Sequence, residues 1–310
     1  LTKGGFDGSE GNFTAGHLRM NSKIPQRKFR AEVSLNNFLA GMNMEGGTKK
    51  LSFLASARIS PLTYEYSVVK NKLPKLLGGM DSFGANVGDL YGKVRWDLNG
   101  RSSMELSGLR TFDDYSSSLG GDSSESFGWG NTIGIFRFMD SGEYSTTQIT
   151  YSENEYDSHQ VQDKMFRGKM NHLSLSSKMT ERIASLDQTI HSGKWMIFSA
   201  GYGVKYRQMT FAPGQMEDEI TASRHSLLSI YGQMGFDFSD RFKIKGFVRQ
   251  NTFKTLDGAN SYTYPLTEGS VVARLFVDRR KRFVLEASYD NIAQFYHTLE
   301  GLPTGWSLDM

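Results

Sequence analysis

The sequence predicts an all-β chain, an antiparallel up-and-down barrel that crosses a bilayer, from three observations. Long stretches alternate with a period of two, short turns alternate with long loops, and the bulk values suit strands that are wet on one side only. Trp195 to Phe211 shows the first most clearly. Phe198, Ala200, Tyr202, Val204 and Tyr206 are apolar or aromatic, while the intervening Ser199, Gly201, Gly203, Lys205 and Arg207 are small or charged. A period of two places the two sets on opposite faces of a strand. Strands of soluble proteins usually run to about five or six residues. A tilted strand that spans a bilayer needs roughly nine to eleven, with its apolar set towards lipid and its polar set towards the lumen.

The bulk values narrow the classes. Hydrophobic residues make up 38% of the 310, no apolar run approaches the length of a membrane helix, and the mean hydropathy is −0.45, so a helical membrane protein is excluded. A barrel tolerates such values because half of each strand meets water. The 33 glycines, the 13% aromatic content and only 6 prolines suit long strands joined by tight turns. A net charge of +3 gives no argument for a nucleic-acid partner. With no cysteine there is no disulfide, thiolate metal site or cysteine nucleophile. The chain starts at Leu1 without a signal-like segment, which is expected either after removal of a signal or, the preferred reading, of an internal piece of a longer protein.

Taken in order, alternation begins at Phe29 with Ala31, Val33 and Leu35, continues over Leu39 to Met44, and reverses at Glu45-Gly46-Gly47-Thr48 into Leu51 to Ile59. An irregular stretch is expected from Pro61 to about Val87. Leu90 to Trp96 then pairs with Met104 to Gly108 through Leu98-Asn99-Gly100-Arg101, an Asn-Gly hairpin signal. Phe112 to Gly128 reads as a long loop. Thr132 to Met139 pairs with Tyr144 to Tyr151 through Asp140-Ser141-Gly142, and a polar loop is expected from Ser152 to about Asn171. Leu173 to Ile190 pairs with Trp195 to Phe211 around Gly193. Leu228 to Phe238 turns at Ser239-Asp240-Arg241 into Phe242 to Val248, and Val271 to Val277 turns at Asp278-Arg279-Arg280 into Phe283 to Tyr289. Six short turns in strict alternation with longer connections put one kind at each end of the sheet. That is the layout of a bacterial outer-membrane barrel. Trp96, Phe138, Phe238 and Phe283 fall beside the short turns, and Tyr64, Tyr66, Tyr115, Trp129, Tyr206 and Tyr264 near the other end, as two interfacial belts would require.

Several segments resemble one family. GHLRMNSK (Gly16 to Lys23) resembles the end of the plug of TonB-dependent outer-membrane receptors of the Bacteroidetes type. KKLSFLASAR (Lys49 to Arg58), LYGKVRWDLNGRSSMELSGLRTFDDY (Leu90 to Tyr115), FSAGYGVKYRQMTFAPG (Phe198 to Gly214) and SYDNIAQFYHTLEG (Ser288 to Gly301) are similar to its barrel strands. The resemblance implies residues 1–26 as the end of the plug or a linker, and 27–310 as about a dozen strands of a larger barrel of about 22. It implies import of a scarce nutrient (siderophore, cobalamin, glycan or peptide) across the outer membrane of a Gram-negative bacterium, with energy from the TonB complex. The partners would be the lipid bilayer, TonB through parts outside this chain, and, in some relatives, a surface lipoprotein. A passive porin-like channel and a non-transporting subunit of an outer-membrane assembly are the rival readings, with a soluble adhesin behind them.

No enzyme signature is present, so an enzyme is not expected. The 6 histidines are scattered, no phosphate loop follows the glycines, and no serine sits in a nucleophile elbow. No metal site and no cofactor are expected. Calcium at Asp113-Asp114 with Asp122 and Glu125, or at Glu217-Asp218-Glu219, is the lesser reading beside solvated loop charge. Ligand contact falls first to the loop aromatics Tyr115, Phe127, Trp129, Tyr156 and Tyr262, whose rings can stack on sugars or chelates. The polar face supplies Arg95, Arg110, Arg137, Lys205 and Arg207 as a basic wall for an anionic substrate. The plainer alternative is that such charges pair with Glu105, Glu286 and Asp237 on neighbouring strands.

Overall fold

The computed structural model describes residues 22–36, 39–60, 62–72, 80–119, 123–166, 169–192, 197–213, 223–255, 262–277 and 283–291. Within them lie thirteen strands in one sheet: β1 (Arg30–Leu35), β2 (Ala40–Gly47), β3 (Leu51–Ile59), β4 (Met80–Asp97), β5 (Ser102–Leu119), β6 (Ser123–Ser141), β7 (Ser145–Phe166), β8 (Lys169–Ser192), β9 (Ile197–Pro213), β10 (Ser223–Asp237), β11 (Phe242–Thr255), β12 (Thr263–Phe276) and β13 (Val284–Asn291). Their order in the sheet is their order in the chain, each antiparallel to the next. This is the up-and-down arrangement expected from the sequence.

The two faces are sorted as a bilayer demands. One register row of the apolar set runs Phe53, Val94, Leu106, Phe136, Tyr151 across β3 to β7. A second runs Leu186, Val204, Ile230 across β8 to β10. This set is exposed: Leu106 is 61% accessible, Ile230 56% and Tyr202 51%. The buried strand residues lie on the opposite set, among them Lys93, Ser107, Ser229, Arg249, Asn251 and Glu268. A single sheet buries one of its faces only by curving around it, so the polar face is the inner one. A water-soluble sandwich would do the reverse, and a broad exposed apolar face marks a membrane surface.

Residues 22–28 enter along that inner face. Ser22 accepts a hydrogen bond from the Tyr91 hydroxyl at 2.7 Å, Lys23 pairs with buried Glu45 at 2.8 Å, and the Arg27 carbonyl accepts from Gly47 N–H at 3.0 Å. The chain then rises into β1 from the short-turn end.

Three stretches differ from the sequence reading. The segment after Pro61 is not irregular: α1 (Leu62–Lys72) forms there, and β4 begins at Met80. Ser60 Oγ accepts the Leu62 N–H at 3.4 Å, Glu65 lies in the first turn, and Lys70 and Lys72 in the last. These are helix-start and dipole signals. The expected loops at 112–128 and 152–171 are strand over their described residues, 112–119, 123–128, 152–166 and 169–171, and β7 and β8 reach 22 and 24 residues. At ~3.3 Å per residue such a strand exceeds a hydrocarbon core of ~30 Å more than twofold. The β5–β8 wall therefore stands far beyond the bilayer on the side away from the short turns.

One aromatic belt is present. Trp96, Phe138, Phe238 and Phe283 lie on the outer set beside the short turns, with Phe238 5.6 Å from Phe242. The second belt is largely not a belt. Tyr206 faces outward, but Tyr115, Trp129 and Tyr264 belong to the inner set, while Tyr64 and Tyr66 ride on α1.

Candidate functional site

The extended part of β6 carries Phe127 and Trp129 two residues apart, that of β5 carries Tyr115, and antiparallel pairing sets the three side by side. Tyr115 stands opposite Phe127, and Asp113 opposite Trp129. The three rings form a triangular pad on the inner face, with centroids 5.0 Å apart for Tyr115–Phe127, 6.0 Å for Phe127–Trp129 and 6.1 Å for Tyr115–Trp129. Interplanar angles of 21°, 21° and 39° keep the pad shallow. Phe127 and Trp129 are 37% and 40% exposed, so the pad offers surface to a ligand.

Its borders are polar and fixed. Gln160 on β7 donates to Glu125 at 3.5 Å, and the Ser158 and Ser177 hydroxyls lie 2.6 Å apart. On the other side, Ala85 of β4 pairs with Tyr115. Thr63 of α1 clamps Ala85 by accepting its N–H at 2.8 Å and donating to its carbonyl at 2.7 Å. Tyr66 then packs on Phe83 at 5.4 Å, so the helix walls the pad. The sequence named Tyr115, Phe127 and Trp129. It named Asp113 only as a calcium candidate and missed Gln160, Ser158 and the α1 wall; the available signal was the alternation of Glu125, Phe127 and Trp129 with small residues in ESFGWGN.

The remaining candidates lie elsewhere. Tyr156 is on the same face one row further down, opposite Asn131. Tyr262 sits at the start of β12 and stacks on Tyr264 at 6.4 Å, six strands along the sheet from the pad. Arg110 shares the outward set of Leu106 and Gly108, pairing with Leu90 and Thr132. The expectation of a luminal Arg110 is thereby corrected: two steps from Leu106 and four in all keep a residue on the same face. Lys205 and Arg207 occupy β9 opposite Ser229 and Leu227. Their side chains lie outside the described residues.

Arg95 and Arg137 do face inward, near the short turns, but they are engaged. Arg95 pairs with Asp97 at 2.9 Å. Glu105 holds Lys93 at 3.1 Å and Arg137 at 3.4 Å. Arg274 pairs with Glu286, Lys243 with Asp237, and Arg58 with Asp89. Apart from Arg95–Asp97, which lies within β4, these contacts are the cross-strand pairs of the plainer reading. Asp113 and Asp114 alternate faces, so their carboxylates do not converge on one cation. Among the described residues no group of three or more metal-ligating side chains occurs. Asp122 and Glu217-Asp218-Glu219 lie outside them.

Near the tip of the β7–β8 hairpin, His172 Nδ1 lies 2.6 Å from Asp163, which also accepts from Ser124 at 3.1 Å. The His172 bond, and then the Ser124 bond, hold the Asp163 carboxyl below its usual range. A depressed carboxylate stabilises the tip above its unfolded value and loses that contribution as pH falls through the folded one. Protease nicking of the tip should therefore be flat from neutral pH to about pH 4 and rise below it. Asp163→Asn should abolish the step. An unchanged step in the variant would place the titrating group elsewhere.

The sequence matches no protein-family profile and no curated protein. Several solved structures are similar. The ferric-catecholate import receptor Fiu from E. coli K12, in its open form, superposes with a TM-score of 0.66 at 9% identity, over 88% of this chain and 56% of that one. The siderophore receptor PiuA from Acinetobacter baumannii gives 0.64 at 9% identity, over 93% and 53%. FpvAI, in its complex with pyocin S2, gives 0.64 at 10% identity, over 87% and 44%. The chain spans about half the length of these receptors. With the strand order and the sorting of its faces, the likeness establishes that this chain has the fold of the β-barrel wall of such receptors.

Proposed function

We propose that the chain forms part of the barrel of a TonB-dependent receptor in the outer membrane of a Gram-negative bacterium, importing a scarce nutrient. The observation that carries this reading is the sorting of faces. The apolar set is turned outward to lipid, while the inner face holds a charged wall, an exposed aromatic pad at the far end, and residues 22–28 pressed against it from the short-turn end. An incoming segment on the inner wall suits a plug that precedes the barrel. Support also comes from the fold shared with import receptors. In this reading TonB acts through parts outside the chain. The Bacteroidetes type and a lipoprotein partner rest on the sequence resemblance alone.

The test is growth of cells that depend on the full-length protein for a nutrient. Uptake should vanish on deletion of TonB or on collapse of the proton gradient. Uptake that persists without TonB would mean a passive channel. Intact envelope assembly defects in the deletion strain, with no uptake phenotype, would mean a structural subunit.

A further inference from the structure

The ring pad has a charge environment that narrows its ligand. The inner face of β5 from Thr111 to Ser117, with its register partners on β6, β7 and β8, bears no lysine, arginine or histidine. It bears two carboxylates, Asp113 and Glu125, together with the amide of Gln160 and several hydroxyls. The nearest inward base on these strands, Lys164, lies four residues beyond Gln160 along β7, about 13 Å away. Lys70 and Lys72 of α1 follow a turn or more after Tyr66. On the lower wall each of Lys93, Arg95 and Arg137 already has a carboxylate.

From this we infer that the pad takes a neutral carbohydrate, rather than an anionic iron chelate, as the substrate of the importer; the inference rests on the import reading above. A catecholate or carboxylate ligand needs cations at its contact surface, and two carboxylates there would repel it. A cation can rest on a single ring face, but interplanar angles of 21° to 39° make a flat pad and not a cage, so the lysine-rich peptide is kept as an arm of the test. A pyranose has what remains. The slightly positive C–H groups of its flat face meet the electron-rich ring faces, and its hydroxyls donate to Asp113, Glu125 and Gln160.

The test uses the full-length receptor purified in detergent and three probe classes: an array of neutral glycans, a ferric tris-catecholate, and a lysine-rich peptide. Binding is read by titration calorimetry and tryptophan quenching. A neutral glycan should bind, Trp129→Ala should weaken it roughly tenfold, and Trp129→Phe should retain most of the affinity. A melting temperature equal to that of the parent guards against a folding defect in the alanine variant. Binding confined to the catecholate or to the peptide overturns the carbohydrate assignment and leaves TonB-dependent uptake standing. Failure of every class overturns the pad as a ligand site, whatever uptake shows. Glycan binding without TonB-dependent uptake keeps the site and removes the transporter.

Discussion

Gly203→Val should destabilise the folded barrel by about 3 kcal/mol or more. A side chain at 203 would place its Cβ 2.6 Å from the Tyr231 ring and 2.6 Å from the Leu186 carbonyl oxygen. The carbonyl belongs to the ladder and cannot step aside. Tyr231 is 5% exposed and lies across Gly203 to donate its hydroxyl to Asp187 on β8, two strands away. The glycine is thus the floor on which this ring rests, and the ring replaces the packing that the glycine lacks. Loss of the ring's seat removes a buried aromatic and a hydrogen bond together. The check is the temperature at which the compact electrophoretic form of the full-length protein converts to the unfolded one. Tyr231→Phe, which loses only the hydroxyl, should lose about 1 kcal/mol. A valine variant that converts at the parent temperature would refute the account.

Glu268→Ala should rank beside it, at about 3–5 kcal/mol, because it breaks a buried charge pair. Glu268 is 1% exposed and accepts from Arg249 at 3.3 Å and from Asn251, which is itself joined to Ser229 at 2.7 Å. Removal deprives the 3%-exposed Arg249 side chain of this carboxylate. The double change Arg249→Met with Glu268→Met should recover most of the loss, since replacing both ends with apolar groups is often close to neutral. Denaturant midpoints of the two proteins in lipid vesicles decide it. If the double variant is worse than Glu268→Ala, the pair contributes more than mutual neutralisation.

The contrast between legible and illegible parts has a physical origin. β3 and β8 to β11 were readable because one face meets lipid and the other water, so the letters themselves alternate. In SENEYDSHQVQDKMF both faces meet water, and a period of two in geometry leaves no trace in hydropathy. The same holds for FDDYSSS, where the strand continues while its outward residues turn polar. The helix after Ser60 was announced by Ser-Pro and Glu65, but its apolar face is weak because it leans on a single strand. For the site, residue types were informative and convergence was not. Tyr115, Phe127 and Trp129 touch only because the β5–β6 register sets position 115 against 127, and Tyr262 lies far off for the same kind of reason. Arg110 was misplaced although two-step counting from Leu106 would have turned it outward.

The four-strand extension beyond the bilayer has a thermodynamic corollary. The proposed ring pad is mounted there on ladder-bonded backbone, whereas binding residues commonly sit on loops. A ligand arriving at such a preorganised surface finds little chain left to freeze, so less of the contact energy is spent on ordering. Specificity on such a mount shifts by exchanging side chains at alternate positions, and hardly at all by lengthening or shortening the hairpin ends.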